Sequence, residues 1–512
     1  MWWRIYPRLR LVPMLRSSKF SNFLVFGCLV FFLGQSQALA DDSHYQDFVV
    51  GGRAVGLGGA FCSIADDSSG IYYNPAGIAD SSQTSLQIST SLYGFERGSY
   101  DLDNLTLPIP GVENLDVQFT DLIVVPASAG AVKTFGKIGP DGEPTEAYAF
   151  SVVVPSYRSF AITAPFASEG QEDDPAYIDS ALSYSRRVTD RTLWTGFGYA
   201  RKLDHRFRVG FSAHYILRSI VDIEKVASSG TLSFGNDDSS SSEGASEVFD
   251  TATNDISFLN GSIVFGAGIK FKSGLWQLGA SIQSPSWQVH SRAELRSSRG
   301  QSVPQVDCSE LSATSEACGE EGVLALGGKS QFTVYQPKSV GSETKYASTL
   351  RVGASFSLPH KLTISGDLIY HLPVSYNLVD LDEKDAKWLP FNPKVSRKQV
   401  LNMSFGFEYL MIREVSIGAG VFSDFSSAPE ITESYLSTDK QPHVDLLGLS
   451  MALGYFSEHS LTRFGLLYSS GAGEDVIPVN TTDKILEKAD DYHRVGYFQS
   501  FFYVFISSTY RY

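Results

Sequence analysis

Three groups of residues in this chain have types and spacing that can do chemistry. The first is Asn74-Pro75-Ala76, a few positions after Asp66-Asp67. An asparagine amide can bond to backbone groups left unpaired at a gap, and a proline beside it fixes the chain direction while offering no donor. The same dipeptide can also simply start a turn. The second group is cationic: Arg208, Arg218, Arg351 and Lys361 each alternate with apolar neighbours. Such residues can hold a ligand carboxylate by charge-assisted hydrogen bonds, or pair with acids such as Asp367 and Glu408. The third is Cys308 and Cys318, ten residues apart in a Gly, Ser and Glu-rich stretch, which can close a loop disulfide in an oxidising compartment.

Several chemistries are disfavoured. A hydrolase needs a Ser, His and acid constellation; His214 and His290 lie near serines, but no spacing supports one. The nine histidines are scattered without the close pairing that zinc ligands on one element require, so no metal is expected. GRAVGLGG, from Gly52, has glycines like those of a dinucleotide loop but lacks the βαβ context. The expectation is a non-enzyme without a cofactor.

The elements that position these residues begin with a leader. Arg4, Arg8, Arg10, Arg16 and Lys19 precede an apolar run from Phe23 to Gly34, and Ala38-Leu39-Ala40 supplies a cleavage pattern before Asp41. That run is shorter than the roughly 20 apolar residues that span a bilayer. Met14 is an alternative start, and Cys28 a weaker, lipoprotein alternative. Residues 1–40 therefore read as a signal peptide. Their removal takes five of the 41 basic side chains and no acidic ones, leaving 36 against 56, a balance of −20. This argues against nucleic acid, whose phosphates demand a basic footprint. Residues 41–83 follow as a small-residue segment, GGRAVGLGGAFCSIADDSSGIYYNPAGIAD at its centre, too poor in large side chains to build a core of its own. It needs a cavity to fold into.

Residues 84–512 supply one. Phe207, Val209, Phe211, Ala213, Tyr215 and Leu217 alternate with Arg208, Gly210, Ser212, His214 and Arg218, an oily face against a wet one. The split recurs in Leu350 to Phe356, Leu362 to Tyr370 and Leu401 to Tyr409. A soluble β-sandwich also alternates, but here the runs are long, the connections alternate long and short, and the chain ends on Tyr512 behind Tyr510, Ser508, Ile506, Val504 and Phe502. The pattern predicts an all-β fold: a transmembrane antiparallel up-and-down β-barrel of about 14 strands, with an N-terminal hatch plugging the lumen. Turns after the even-numbered strands are short, as at Asp204-His205-Arg206, Ser273-Gly274 and Pro359-His360, with Gly136 to Thr145 as a longer exception. Short turns belong on the periplasmic side, which puts both termini there and the protein in a bacterial outer membrane. Pro126 and Pro155, on the expected second and third strands, each remove a ladder hydrogen bond and mark a candidate lateral opening.

Ala65-Asp66-Asp67 followed by Asn74-Pro75-Ala76 resembles the hatch of the outer-membrane long-chain fatty acid transporter family, the FadL and TodX group. Tyr199 to Leu217, Leu278 to Pro285 and Lys361 to Ser365 are similar to later pieces of that family, so the likeness spans most of the mature chain. It implies a monomeric 14-stranded barrel that passes hydrophobic molecules inward by diffusion. Ligand would enter from outside, sit beneath the loops and leave through the wall near a kinked third strand. The implied partners are a fatty acid or hydrocarbon, outer-membrane lipid and, during assembly, the outer-membrane insertion machinery. Related barrels that assist secretion carry a similar hatch, so a structural or secretion-associated barrel that moves no small molecule is the alternative.

Overall fold

The computed structural model describes residues 44–45, 48–101, 117–123, 128–139, 142–168, 176–234, 246–302, 306–307, 323–324, 331–336, 340–380, 394–431, 442–478 and 492–512. Cys308, Cys318 and Pro126 lie outside them. The strands are β1 (Ser85–Asp101), β2 (Val117–Ile123), β3 (Ser128–Ile138), β4 (Pro144–Ser168), β5 (Ala176–Lys202), β6 (Phe207–Phe234), β7 (Ser246–Ser273), β8 (Trp276–Gln283) and β9 (Trp287–Ser302). After the short pair β10 (Val306–Asp307) and β11 (Val323–Leu324) come β12 (Gln331–Tyr335), β13 (Thr349–Leu358) and β14 (Leu362–His371). A second short pair, β15 (Val374–Asn377) and β16 (Lys394–Arg397), precedes β17 (Val400–Ile412), β18 (Val415–Asp424), β19 (Leu446–Phe456), β20 (Ser460–Pro478) and β21 (Tyr492–Arg511).

Seventeen of these strands form one antiparallel sheet that closes as a 14-stave barrel. Three staves are made of two segments in line: β2 with β3 in the second, β8 with β9 in the seventh, and β12 with β13 in the eighth. Closure comes from β21, which pairs with β1 from Ser85↔Arg511 to Asp101↔Gly496. A closed sheet leaves no edge, which is what a hydrocarbon environment requires of strands.

Burial is inverted relative to a soluble sheet. On β13, Leu350 and Val352 are 42% and 47% exposed, while the alternating Arg351 and Ser355 are 5% and 2% exposed. The same split holds on β6, where Phe207, Phe211 and Tyr215 face out and Arg208, Ser212 and His214 are buried. On β21, Phe502 and Tyr510 face out, while Phe501, Tyr503 and Phe505 line the lumen. Two packed sheets would bury the apolar rows instead; a barrel in lipid exposes them.

The staves run longer than the alternation suggests. β4 to β7 have 25, 27, 28 and 28 residues, against the roughly 9–11 that cross a bilayer at a tilt. The surplus extends on the long-loop side, where outward residues turn polar at Lys225, Thr253 and Asp255. At the other end the turns are tight. Asp204 Oδ1 accepts from the Arg206 and Phe207 amides at 2.6 and 2.7 Å, and Gly274 and His360 take φ values of 60° and 57°. The Gly136 to Thr145 stretch is tighter than expected. The ladder there continues over a bulge to Ile138↔Pro144, and just beyond it Gly139 N–H donates to Glu143 O at 2.8 Å.

Candidate functional site

The segment from Phe48 to Ser81 fills the lumen as irregular chain with three short helical turns, at Gly52–Val55, Gly70–Tyr73 and Pro75–Asp80. It has almost no exposed surface: Val50, Ala54, Phe61, Cys62, Asn74 and Ile78 are all fully buried. Its small residues meet small residues on the wall. A Cβ on Gly420 would sit 2.3 Å from the Gly58 nitrogen, and one on Gly268 would sit 2.0 Å from Asn74 Oδ1. Glycine at Gly420 lets the backbones of plug and wall approach closely, and glycine at Gly268 makes room for the Asn74 side chain.

Asn74 is the buried clamp of this segment. Its Oδ1 accepts from the Ala76 amide at 3.1 Å, capping the turn that Pro75 begins. Its Nδ2 donates to Cys62 O within the plug and to Ile269 O on β7, both at 3.0 Å. The Asn-Pro pair thus joins plug to wall at the sixth stave, whereas Pro155 lies in the third.

Two ionic latches hold the plug on its short-turn side. In one, Arg53 donates to Asp66 Oδ2 at 2.8 Å and to Glu408 Oε2 on β17 at 3.0 Å, and Arg463 on β20 reaches Glu408 Oε1 at 2.9 Å. In the other, Asp80 is held at 2.7 Å by both Arg208 on β6 and Lys270 on β7. Burial alone would push the Asp80 carboxyl up, but Lys270 and Arg208 outweigh it and hold it well below the usual carboxylate range. Among the described residues Asp67 meets no cation at hydrogen-bond distance; its Oδ1 accepts from the Ser69 amide at 2.9 Å and folds a local turn, and burial next to Asp66 raises its pKa. Beneath the latches lies a polar cavity of about 330 Å³, lined in part by Arg53, Asp66, Glu408, Lys361, Arg463 and Arg511.

The opposite side of the plug is apolar and aromatic. Phe48, Val49, Val50, Leu57, Phe61, Tyr72 and Tyr73 form one cluster with lumen residues Tyr100, Trp194, Ile216, Tyr497, Phe501, Tyr503 and Phe505. Tyr72 packs edge-on against both Tyr73 and Trp194 at 5.3 and 5.4 Å.

The four sequence-nominated cations part company. Arg208 belongs to the Asp80 latch. Arg218 is bound side by side to Asp190 and reaches the Tyr376 hydroxyl at 3.3 Å. Lys361 is exposed in the turn between β13 and β14, at the rim of the polar cavity, where the hydrogen bond from its amide to Leu358 O at 3.1 Å closes that turn. Arg351 alone stands at the aromatic side, 4.6 Å over the Tyr73 ring and 5.8 Å from that of Tyr72, its Nη1 without a hydrogen-bond partner among the described residues. The expected acids are used otherwise: Asp367 Oδ2 accepts from the Phe61 and Cys62 amides at 2.8 and 2.7 Å, and Glu408 serves Arg53 and Arg463. Arg53, Asp80 and Lys270 were not picked out in the sequence; Arg208 and Lys270 prove to be register partners on neighbouring strands, which lets them share one inward acid.

The hydrolase candidates fall on opposite faces of the wall. His290 bonds the outward Tyr215 hydroxyl at 3.3 Å. His214 packs inward on Trp194, its ring nitrogens without hydrogen-bond partners among the described residues. Among the described residues, no three His, Cys, Asp or Glu side chains gather as a metal site.

Fold and site together define a class: a closed 14-stave β-barrel, apolar outside, with its own N-terminal segment latched inside. The fold is similar to that of FadL-type barrels. The chain is similar to the crystal structure of a Pseudomonas aeruginosa FadL homologue, with a TM-score of 0.54 and 14% identity over 91% of this chain and 99% of that one. The P. putida toluene transporter TodX gives a TM-score of 0.49 and 11% identity over 91% of this chain and 99% of that one. No protein-family model and no curated protein matches the sequence.

Proposed function

We propose that this protein is an outer-membrane channel for passive uptake of long-chain fatty acids or similar hydrophobic compounds. The observation that carries this reading is the two-sidedness of the plug. One side is bolted to the wall by buried ion pairs, and the other offers a floor of apolar and aromatic side chains that a greasy molecule can rest on. Apolar cavities with a few converging polar groups are the usual form of small-molecule sites. Arg351, with a free Nη1 beside the Tyr73 ring, suits a carboxylate head group there. The long-loop end faces outward, both termini are periplasmic, and residues 41–83 act as the hatch, with Asp66, Asp67, Asn74, Pro75 and Ala76 at its joints.

Ligand leaves sideways rather than past the plug, since displacing the plug would strip two buried charge clusters of their partners. The exit we assign lies at Pro155. Pairing of β3 with β4 ends at Ser128↔Val153, the register of β4 shifts between Val153 and Ser156, and Phe48 N–H donates to Pro155 O at 3.1 Å, so the plug's own first turn reaches this point. The working unit is a monomer, because one chain closes the barrel.

The experiment is uptake by a strain lacking this protein, complemented with the intact gene, across a panel of labelled fatty acids, alkanes and monoaromatics. Restored uptake of at least one apolar compound supports the channel; identical uptake with and without the protein across the panel favours a structural or secretion-associated barrel.

A further inference from the structure

Between the seventh and eighth staves a strand ladder does not hold the wall together. β8 pairs with β13 as far as Gln283↔Thr349, and β9 pairs with β12 only from Ser297↔Tyr335 to Gln301↔Gln331. In the interval β9 stays paired with β7 on one side. On its other side stand residues 340–348, irregular chain with one isolated bridge to β9, Ala293↔Val340. The seventh stave is itself broken there by Pro285, which has no N–H to give, and by a register shift between Gly261 and Ser262 on β7.

Apart from one backbone bond, Ser286 N–H to Tyr346 O at 3.2 Å, side chains do the work of the ladder. Gln288 donates to Ser342 O at 2.8 Å and accepts from the Thr344 amide at 3.0 Å. Ser286 Oγ accepts from the Tyr346 amide at 2.8 Å. Asn260 donates to Thr344 Oγ1 at 2.7 Å and accepts from Ser342 Oγ at 2.8 Å. Backbone ladders are cooperative and cannot rotate away, whereas these amide and hydroxyl groups can swing to new partners when the segment moves, so no polar group need be stranded in lipid.

The segment also joins two apolar surfaces. On the lipid side, Trp287 and Val289 are 52% and 59% exposed, and the Trp287 ring lies 5.5 Å from that of Phe265. Just above them Arg292 and Glu294 are exposed and paired at 2.9 Å, so the seam sits where apolar surface gives way to charge, at the loop-side interface of the bilayer. On the lumen side, Tyr346 packs edge-on against Trp194 at 5.8 Å and rests against the aromatic cluster over the plug.

We propose that residues 340–348 are the panel of a second side portal, distinct from the discontinuity at Pro155, through which an amphiphile with an apolar tail exchanges between the loop-side leaflet and the aromatic cluster over the plug. This rests on the channel reading. The test uses the full mature chain in phosphatidylcholine vesicles with Trp194 as its sole tryptophan, and stearic acid carrying a nitroxide on its chain as both probe and quencher. Ala293→Cys with Val340→Cys pins the free end of the panel. Oxidising that pair should slow quenching of Trp194 about tenfold, and reductant should restore it in the same sample, which controls for folding. Gln288→Ala, which removes two of the latching bonds, should speed quenching. Equal rates in the oxidised and reduced protein overturn the portal while leaving the channel standing. Quenching in no state overturns the channel, and the portal with it.

Discussion

Asn74 is a single side chain on which the seating of the plug depends. It is fully buried, and all three of its hydrogen bonds to backbone groups join parts distant from one another or cap a turn. Asn74→Ala leaves the Cys62 and Ile269 carbonyls without that donor, each worth about 1–3 kcal/mol. Hydrogen exchange across residues 60–80 should rise well above wild type while the wall strands stay protected; unchanged exchange would contradict the clamp. Glu408→Gln should loosen the plug further, because Arg53 and Arg463 lose a shared buried counter-charge, a change of about 3–5 kcal/mol. The Asp80 latch makes a prediction about acid. Its folded pKa lies below its unfolded one, so its contribution is complete above the unfolded value and is lost only as pH falls through the lower folded value. Exchange at residues 75–81 should therefore stay slow from neutral pH down to about pH 4, and early release in that window would show that the latch does not hold.

Elements were legible in the sequence to the extent that lipid writes a pattern on them. The stretches where alternation is plainest, 207–217, 350–356, 362–370 and 401–409, lie within β6, β13, β14 and β17, each of which presents an apolar row outward. The pattern stops at the edge of the bilayer, so the extensions of β4 to β7 beyond Lys225 and Asp255 gave no periodic signal. Nor did the break between β12 and β13, since Tyr346 and Ala347 look like an apolar approach to a strand. The plug was legible as a segment, from its glycines, but its joints were not: Arg53 and Glu408 are 355 residues apart, and only closure of the barrel brings them together. At this scale Gly420→Val should unseat the plug, because the added Cβ alone would lie 2.3 Å from the Gly58 backbone. Limited proteolysis should then cut near Gly58 in a protein whose barrel remains folded. At the third stave, Ser128→Cys with Val153→Cys pins the last pair of the β3–β4 ladder. Oxidation should lower uptake reversibly, and uptake indifferent to the oxidation state would remove the exit at Pro155.

The whole molecule divides its interior by chemistry. The two latches and a polar cavity lie on the short-turn side and the main aromatic and aliphatic cluster on the long-loop side, where the buried Arg218–Asp190 pair borders it, with the plug between them. A barrel serving only as a scaffold has no use for an apolar floor inside a polar lumen, whereas a conduit for greasy molecules needs one, and needs water kept from it. The most direct measurement is native mass spectrometry of the folded protein released from lipid nanodiscs, read for bound small molecules. The account predicts a discrete apolar compound retained by the wild-type chain and lost from Ile216→Trp, whose added bulk crowds the aromatic cluster beside Trp194. A wild-type barrel that carries nothing in its lumen, under conditions where annular lipid is still retained, would contradict it.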